Sequence, residues 1–131
     1  MISKKIRLVN EKNNQAEFNE EDLRNAPDGF FEEISVLDVL ETSSSDNVME
    51  EITHKIRKNG ILKLSGVDAL DMCRQVYYGE IPMEEASAHF FSHAKRLNSL
   101  VSIKDYFVQK GWKVKFAGMS SGRYLVEAQR S

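Results

Sequence analysis

Apolar segments separated by polar ones predict three strands in the first half of the chain. Residues 5–9 alternate basic and apolar side chains, residues 30–37 become apolar toward their C-terminal end, and residues 61–65 form a third short segment rich in apolar residues. The polar stretch 10–28 leads into a turn that contains Pro27 and Gly29, so it predicts a connection with at most one helical turn.

Helical periodicity is clearest between residues 46 and 60. The run 43–46 offers N-cap oxygens, Glu50 and Glu51 suit the first turns of a helix, and Gly60 is predicted as its left-handed C-cap. The apolar residues that recur at three- and four-residue spacing are Val48, Met49, Ile52 and Ile56. This stripe predicts a helix that buries one face.

Two more helices are predicted after the third strand. Asp68 caps the first, which ends at Gly79, and Pro82 opens the second, which covers residues 83–95. The residues expected to face inward on the first helix are Leu70, Cys73, Val76 and Tyr77. Those expected to face inward on the second are Met83, Ala86, Phe90 and Ala94.

The C-terminal third predicts a helix followed by a hairpin. Ser102 and Asp105 resemble a capping box, and the helix that they open buries Ile103 and Phe107 before it ends at Gly111. In the first hairpin strand the residues expected to share a face are Trp112, Val114 and Phe116. In the second strand they are Tyr124, Val126 and Ala128.

The order of these elements predicts one α/β domain over residues 1–131, because the chain has the size of a single domain. We expect a three-layer sandwich of about five strands with helices on both faces. The alternative is an α+β domain in which residues 5–9 pair elsewhere or not at all.

Short motifs within residues 28–65 follow a known order. Phe31-Glu32-Glu33-Ile34 lies in a predicted strand, Val39-Leu40-Glu41 follows that strand, and Lys58-Asn59-Gly60 precedes the next one. This order resembles the FDxI-like strand, VLEH-like loop and KPGG-like turn in the C-terminal half of a class I S-adenosylmethionine-dependent methyltransferase. The resemblance extends over residues 28–130 and implies a truncated Rossmann-like fold that ends in an antiparallel hairpin.

The glycine-rich loop on which such enzymes mainly hold their cofactor has no counterpart in the sequence. Val9 is followed by the polar residues 10–14, and the first glycine of the chain is Gly29. A family loop needs glycines because only a backbone without side chains can approach the cofactor closely. Thr42 also stands where the VLEH-like pattern places histidine. The resemblance therefore implies that the chain binds no cofactor by itself.

Four residues are candidates for a substrate site or a vestigial site, because ligands approach the carboxyl ends of parallel strands. Asp38 and Glu41 follow the second predicted strand, and Gly66 and Asp68 follow the third. The alternative for Asp38 and Glu41 is a solvated loop before a helix. The alternative for Gly66 and Asp68 is a turn and a helix cap. We assign no catalytic residue and no cofactor-binding residue.

A metal site and a reactive thiol are the other chemistries that the sequence raises. His89 and His93 are four residues apart on a predicted helix, with Glu85 on nearly the same face. Phe90 stands where the HExxH motif has glutamate, so we predict an exposed helical face and no metal. We expect Cys73 to be a small buried apolar residue rather than a nucleophile.

The charges are nearly balanced, with 18 basic and 20 acidic residues, which excludes a global field that attracts nucleic acid or anionic lipid. No apolar run has the roughly 20 residues that a membrane span needs. The first residues also lack the pattern of a secretory signal peptide. We therefore expect a cytoplasmic protein that binds neither nucleic acid nor membranes.

Two functions remain open. The first is a methyltransferase-like domain that does not catalyse by itself and acts by binding, either as a homodimer or with another protein, through the edge formed by residues 5–9. The second is an S-adenosylmethionine-dependent methyltransferase whose cofactor site is completed by another chain. Only the second requires S-adenosylmethionine.

Overall fold

The computed structural model describes residues 5–9, 23, 25–38, 40, 47–94 and 97–131, without the side chains of residues 5–9, 92 and 93. Some predictions lie outside these residues. They are the greater part of the connection over residues 10–28, the N-cap oxygens of residues 43–46 and the candidate site residue Glu41.

Within these described residues, five strands form one mixed sheet in the order β1-β2-β3-β5-β4. They are β1 (Lys5–Val9), β2 (Phe31–Leu37), β3 (Ile56–Val67), β4 (Lys113–Ser120) and β5 (Arg123–Gln129). β1, β2 and β3 are parallel, and β5 is antiparallel to both β3 and β4. This topology confirms the predicted α/β fold with about five strands and a C-terminal antiparallel hairpin.

The register of the strands places apolar residues in continuous rows on one face of the sheet. The two central rows are Ile34–Leu62–Ala128 and Val36–Leu64–Val126, and all six residues are buried. At the same level on the opposite face, Ser35, Lys63 and Glu127 are only half-buried. The core therefore lies on the first face, where buried residues of the helices join it.

Helix α1 (Val48–Lys55) confirms the predicted stripe, since Val48 and Ile52 are buried in the core. The helix is shorter than predicted. Ile56 is already the first residue of β3, where it pairs with Phe31 of β2, and this pairing ends the helix.

The predicted left-handed cap at Gly60 is wrong, because Asn59 adopts the left-handed conformation instead, with a φ of 65°. Gly60 lies within β3 and is buried. A Cβ there would lie 2.9 Å from the carbonyl oxygen of Arg57 and 3.0 Å from that of Glu32. The glycine is thus required by a close approach of neighbouring backbone, not by a helix cap.

Helix α2 (Ala69–Tyr77) begins directly after Asp68, as predicted, but it buries a different face. Met72 is its buried residue. The residues predicted to face inward that are exposed instead are Leu70, Cys73 and Tyr77. The first backbone N–H of the helix donates to the carbonyl oxygen of Asn98, and this anchor helps to fix which side of α2 faces the core.

Helix α3 (Met83–Ala88) continues into a π-helical turn at His89–His93. Ala86 is buried, as predicted, but Met83 is exposed, and its predicted inward position is therefore wrong. Met83 is the first residue of the helix, and only the next turn, at Ala86, reaches the interior.

Helix α4 (Leu100–Lys110) buries Ile103 and Phe107, as predicted. Its capping box consists of Ser99 and Ser102, in which each hydroxyl accepts a hydrogen bond from the backbone N–H of the other residue. The predicted box of Ser102 with Asp105 was therefore placed one turn too late. Ser102 occupies the N3 position because the helix begins earlier, at Leu100.

The hairpin of β4 and β5 turns at Ser121 and Gly122, whose φ angles of 53° and 78° suit a two-residue hairpin loop. Tyr124, Val126 and Ala128 share a fully buried face, which confirms the prediction for β5. A bulge between Val114 and Phe116 moves Phe116 to the other face, where it is exposed. The predicted face of β4 was therefore wrong at Phe116.

Candidate functional site

The carboxyl ends of the parallel strands β2 and β3 form the candidate site. β2 ends at Leu37 and is followed by Asp38, and β3 ends at Val67 and is followed by Asp68. The backbone N–H of Asp38 donates to the carbonyl oxygen of Ser65 in β3, at 3.0 Å. Two of the four predicted residues therefore lie at one edge of the sheet.

Asp38 is held in an ion pair that the sequence did not indicate. Its φ is 62°, a conformation that aspartate tolerates better than most residues. Arg123 Nη2 donates to Asp38 Oδ1 at 2.6 Å, with both side chains only partly exposed. Arg123 also lies opposite Val67 in the sheet, so it connects the end of β2 to the end of β3.

Among the described carboxylates at this edge, Asp68 is the most buried, with 2% of its surface exposed. Its Oδ1 accepts a hydrogen bond from the backbone N–H of Asp71 at 2.8 Å, and its Oδ2 accepts one from the N–H of Leu100 at 2.6 Å. Asp68 therefore caps α2 and also binds the first N–H of α4. The helix cap was the alternative that the sequence offered for this residue.

Gly66 does not lie in a loop after the strand, as the sequence suggested. It is buried inside β3 and lies opposite Tyr124 of β5. Pairing with β5 extends β3 as far as Val67, where Arg123 is the partner, so the loop begins only at Asp68. The register with a strand far along the chain decided this boundary.

A cavity of about 350 Å³ lies on the half-buried face of the sheet, on the carboxyl half of β2 and β3. Its lining residues are Ser35, Val36, Leu37, Lys63, Leu64, Ser65 and Leu125. Lys63 Nζ contacts Glu33 Oε1 at 2.8 Å, and this hydrogen bond raises the pKa of Lys63 above its usual value. The cavity is open to solvent, its volume lies at the low end of the range for small-ligand sites, and the one lysine in its lining is bonded to a carboxylate.

A second polar cluster joins α1 to α4 on the other side of the sheet. Tyr106 donates a short hydrogen bond to Glu50, and Lys110 Nζ lies 3.1 Å from the other oxygen of that carboxylate. The bonds from Tyr106 and Lys110 lower the pKa of Glu50. Burial and the bond to Glu50 raise the pKa of Tyr106. Burial acts to lower the pKa of Lys110, but its bonds to Glu50 and Tyr106 outweigh burial and raise it.

Other chemistries find little support in the part of the chain that the structure describes. No three His, Cys, Asp or Glu side chains are grouped there to hold a metal ion. No helix within those same residues is both long and apolar enough to cross a membrane. Cys73 is exposed, so its predicted burial is wrong.

Comparisons with known proteins connect this fold to methyltransferases. No protein-family model matches the chain, and no curated protein matches it either. The solved structures that match include an S-adenosylmethionine-dependent methyltransferase from Thermotoga maritima, described as a possible histamine N-methyltransferase. It is 12% identical, with a TM-score of 0.66, and the match covers 100% of this chain and 84% of that chain. The chain has a partial class I methyltransferase fold.

Two other S-adenosylmethionine-dependent methyltransferases support this assignment. The one from Mesorhizobium loti is 10% identical, with a TM-score of 0.57, over 83% of this chain and 67% of that chain. The one from Methanosarcina mazei is 10% identical, with a TM-score of 0.54, over 81% of this chain and 62% of that chain. At these identities the methyltransferase fold is shared, in the truncated Rossmann-like form that the sequence predicted.

Proposed function

We propose that this chain is a methyltransferase-like domain that does not catalyse by itself and acts by binding another protein. The observation that carries the proposal is that Asp38 and Asp68, the two described carboxylates of the candidate site, are already bonded to other groups of the chain. Asp68 is buried and bonds two backbone N–H groups, and Asp38 is neutralised by Arg123. A ligand cannot reach the first carboxylate, and it must compete with a guanidinium for the second.

The segment between β1 and β2 supports the same conclusion. It contains no glycine before Gly29, although a family cofactor loop after the first strand needs several. β1 also pairs directly with β2 in parallel. The chain thus carries the methyltransferase-like sheet without the loop on which the family mainly holds its cofactor.

The partner surface that we propose is the edge of β1. Within the residues that the structure describes, β1 is the terminal strand of the sheet. Edge strands pair with other chains unless they are protected. A symmetric homodimer through two β1 strands, or one strand added by another protein, both fit this edge. Light scattering of the chain at micromolar concentration should give the mass of a dimer in the first case and that of a monomer in the second.

A second candidate function is a methyltransferase whose cofactor site is completed by another chain. The cavity beside Ser35, Leu37 and Ser65 favours it, because it lies toward the carboxyl ends of β2 and β3, where this fold class binds ligands.

Titration calorimetry with S-adenosylmethionine separates the two functions. For the isolated chain we expect a dissociation constant no better than millimolar, because the glycine loop is missing and the carboxylates are engaged. A micromolar constant, about −8 kcal/mol, would refute the first function. If a co-purified partner is present, the same titration on the complex tests the second function, which requires micromolar affinity in the complex only.

The matched control is Arg123→Ala, which removes the guanidinium from Asp38. If the isolated chain still does not bind S-adenosylmethionine after this change, the ion pair does not exclude the cofactor. The missing glycine loop then remains as the cause. Recovery of binding in the variant would identify the ion pair as the block.

A further inference from the structure

Helix α2 presents an apolar stripe to solvent. Leu70 is 63% exposed and Tyr77 is 83% exposed, and Cys73 between them is exposed as well. Met72 buries the opposite side of the same helix. A surface helix normally directs its apolar stripe to the core and its polar residues to water. In the part of the chain that the structure describes, α2 instead leaves an apolar stripe exposed.

The residues that follow α2 add large apolar side chains to the same surface segment. Tyr78, Met83 and Phe91 are 68%, 67% and 85% exposed. The rings of Tyr77 and Tyr78 meet edge to face with centroids 5.1 Å apart. Aromatic residues and methionine are enriched at protein interfaces, and tyrosine is among the residues that most often make large contributions to binding. Single exposed apolar residues are ordinary, but so many within one segment mark an interaction site.

The charge of this segment restricts what it can bind. Residues 69–94 contain four acidic residues and one basic residue, Arg74, so the segment is more negative than the chain as a whole, whose net charge is −2. Arg74 is already paired, with Nε 2.7 Å from Asp71 and Nη1 3.3 Å from Glu80. Glu84 and Glu85 lie exposed in the first turn of α3. The exposed apolar residues therefore share their segment with exposed acidic residues.

The exposed acidic residues of this segment disfavour two of the three common occupants of an apolar surface. A second copy of the chain would add its own acidic residues to the same interface and supply only one basic residue from this segment, Arg74, which is already paired. A membrane with anionic lipids would repel them. A protein segment that combines apolar side chains with Lys or Arg is complementary in both respects.

From this complementarity we infer that the outer face of α2, together with the following residues as far as Phe91, is the docking surface for a basic amphipathic segment of a partner protein. The inference rests on the proposed function, that the chain acts by binding a partner. It adds a second surface, separate from the edge of β1, and the chemistry of what that surface binds. Leu70 and Tyr77 would receive the apolar side chains of the segment, while Glu84 and Glu85 would pair with its cations.

The test is fluorescence anisotropy with the full chain and two labelled synthetic peptides, one amphipathic helix of Leu and Lys and a counterpart of Leu and Glu. We expect the Leu–Lys peptide to bind and the Leu–Glu peptide not to bind. The double variant Leu70→Ser, Tyr77→Ser should weaken binding by about tenfold or more, as expected for an interface centre. Glu84→Gln with Glu85→Gln should weaken binding and reduce its salt dependence.

The matched control is Val101→Ser with Val108→Ser, two apolar residues on α4 that are 59% exposed each. This variant should bind the Leu–Lys peptide as the unaltered chain does. The inference is overturned if the Leu–Lys peptide fails to bind, if both peptides bind equally, or if the Leu70 and Tyr77 variant keeps full affinity. Binding of phosphatidylglycerol vesicles that is lost in that variant would also overturn it, in favour of a membrane.

Titration of S-adenosylmethionine into the same samples keeps the two proposals apart. Micromolar cofactor binding contradicts the proposed function whatever the peptides do. Absence of peptide binding with no cofactor binding contradicts only the docking surface on α2.

Discussion

Replacing Asp68 by alanine should destabilise the fold strongly, because one side chain serves two helices. Its two oxygens accept hydrogen bonds from the backbone N–H groups of Asp71 in α2 and Leu100 in α4, and the residue is 2% exposed. Alanine removes both acceptors, and water cannot easily replace them in a buried position.

The magnitude follows from the two lost bonds. Loss of an N-cap costs about 0.5–2 kcal/mol, and a buried N–H without an acceptor costs about 1–3 kcal/mol. Allowing for relaxation and non-additivity between the two, we expect Asp68→Ala to lower the free energy of unfolding by about 2–4 kcal/mol. Asp68→Asn should cost less, because its amide oxygen still accepts one of the two bonds.

Urea unfolding followed by the fluorescence of Trp112, the one tryptophan of the chain, measures these differences. Asp105→Ala is the matched control, since Asp105 is an exposed carboxylate on α4, and it should change the free energy of unfolding by less than about 0.5 kcal/mol. If Asp68→Ala costs no more than Asp105→Ala, the double cap does not stabilise the protein and Asp68 becomes available for another role.

Two further predictions concern α1 and its contact with α4. Ile52→Ala should cost about 2–5 kcal/mol because Ile52 is fully buried in the core, whereas Glu51→Ala, one position along the helix, should cost under about 0.5 kcal/mol; equal effects in urea unfolding would contradict the assigned face. The pKa of Glu50 is lowered in the folded state, first by the bond from Tyr106 and then by Lys110, so its contribution to stability is complete above the usual pKa of 4.5 and is lost as the pH falls through the lower folded-state value. Between neutral pH and about pH 3, the free energy of unfolding should therefore fall by less in Tyr106→Phe than in the unaltered chain. If urea unfolding gives the same pH dependence for both, the tyrosine does not lower this pKa.

Local pattern was enough to locate most elements and several of their buried faces. The three- and four-residue spacing of Val48 and Ile52 identified the inner face of α1, and the alternation of Tyr124, Val126 and Ala128 identified that of β5. Asp68 was recognised as a helix cap for the same reason, because a cap acts on residues two or three positions away. Interactions of this range depend on the neighbouring sequence alone.

The sequence could not decide features that depend on residues far apart. Asp38 and Arg123 are 85 positions apart, and only the sheet order, with β5 beside β3, brings them together. The same order extends β3 past Gly66 and leaves that glycine inside a strand.

Helix α2 shows the limit of the pattern itself. Its spacing correctly marked Leu70, Cys73 and Tyr77 as one apolar face, and the structure turns that face to solvent. Periodicity reports which side of a helix is apolar, because side-chain direction repeats with the turn of the helix. What covers that side depends on the elements packed around it, and the sequence of the helix does not contain them. The sequence therefore determined the elements and their apolar faces, and the tertiary structure decided which of those faces the fold buries.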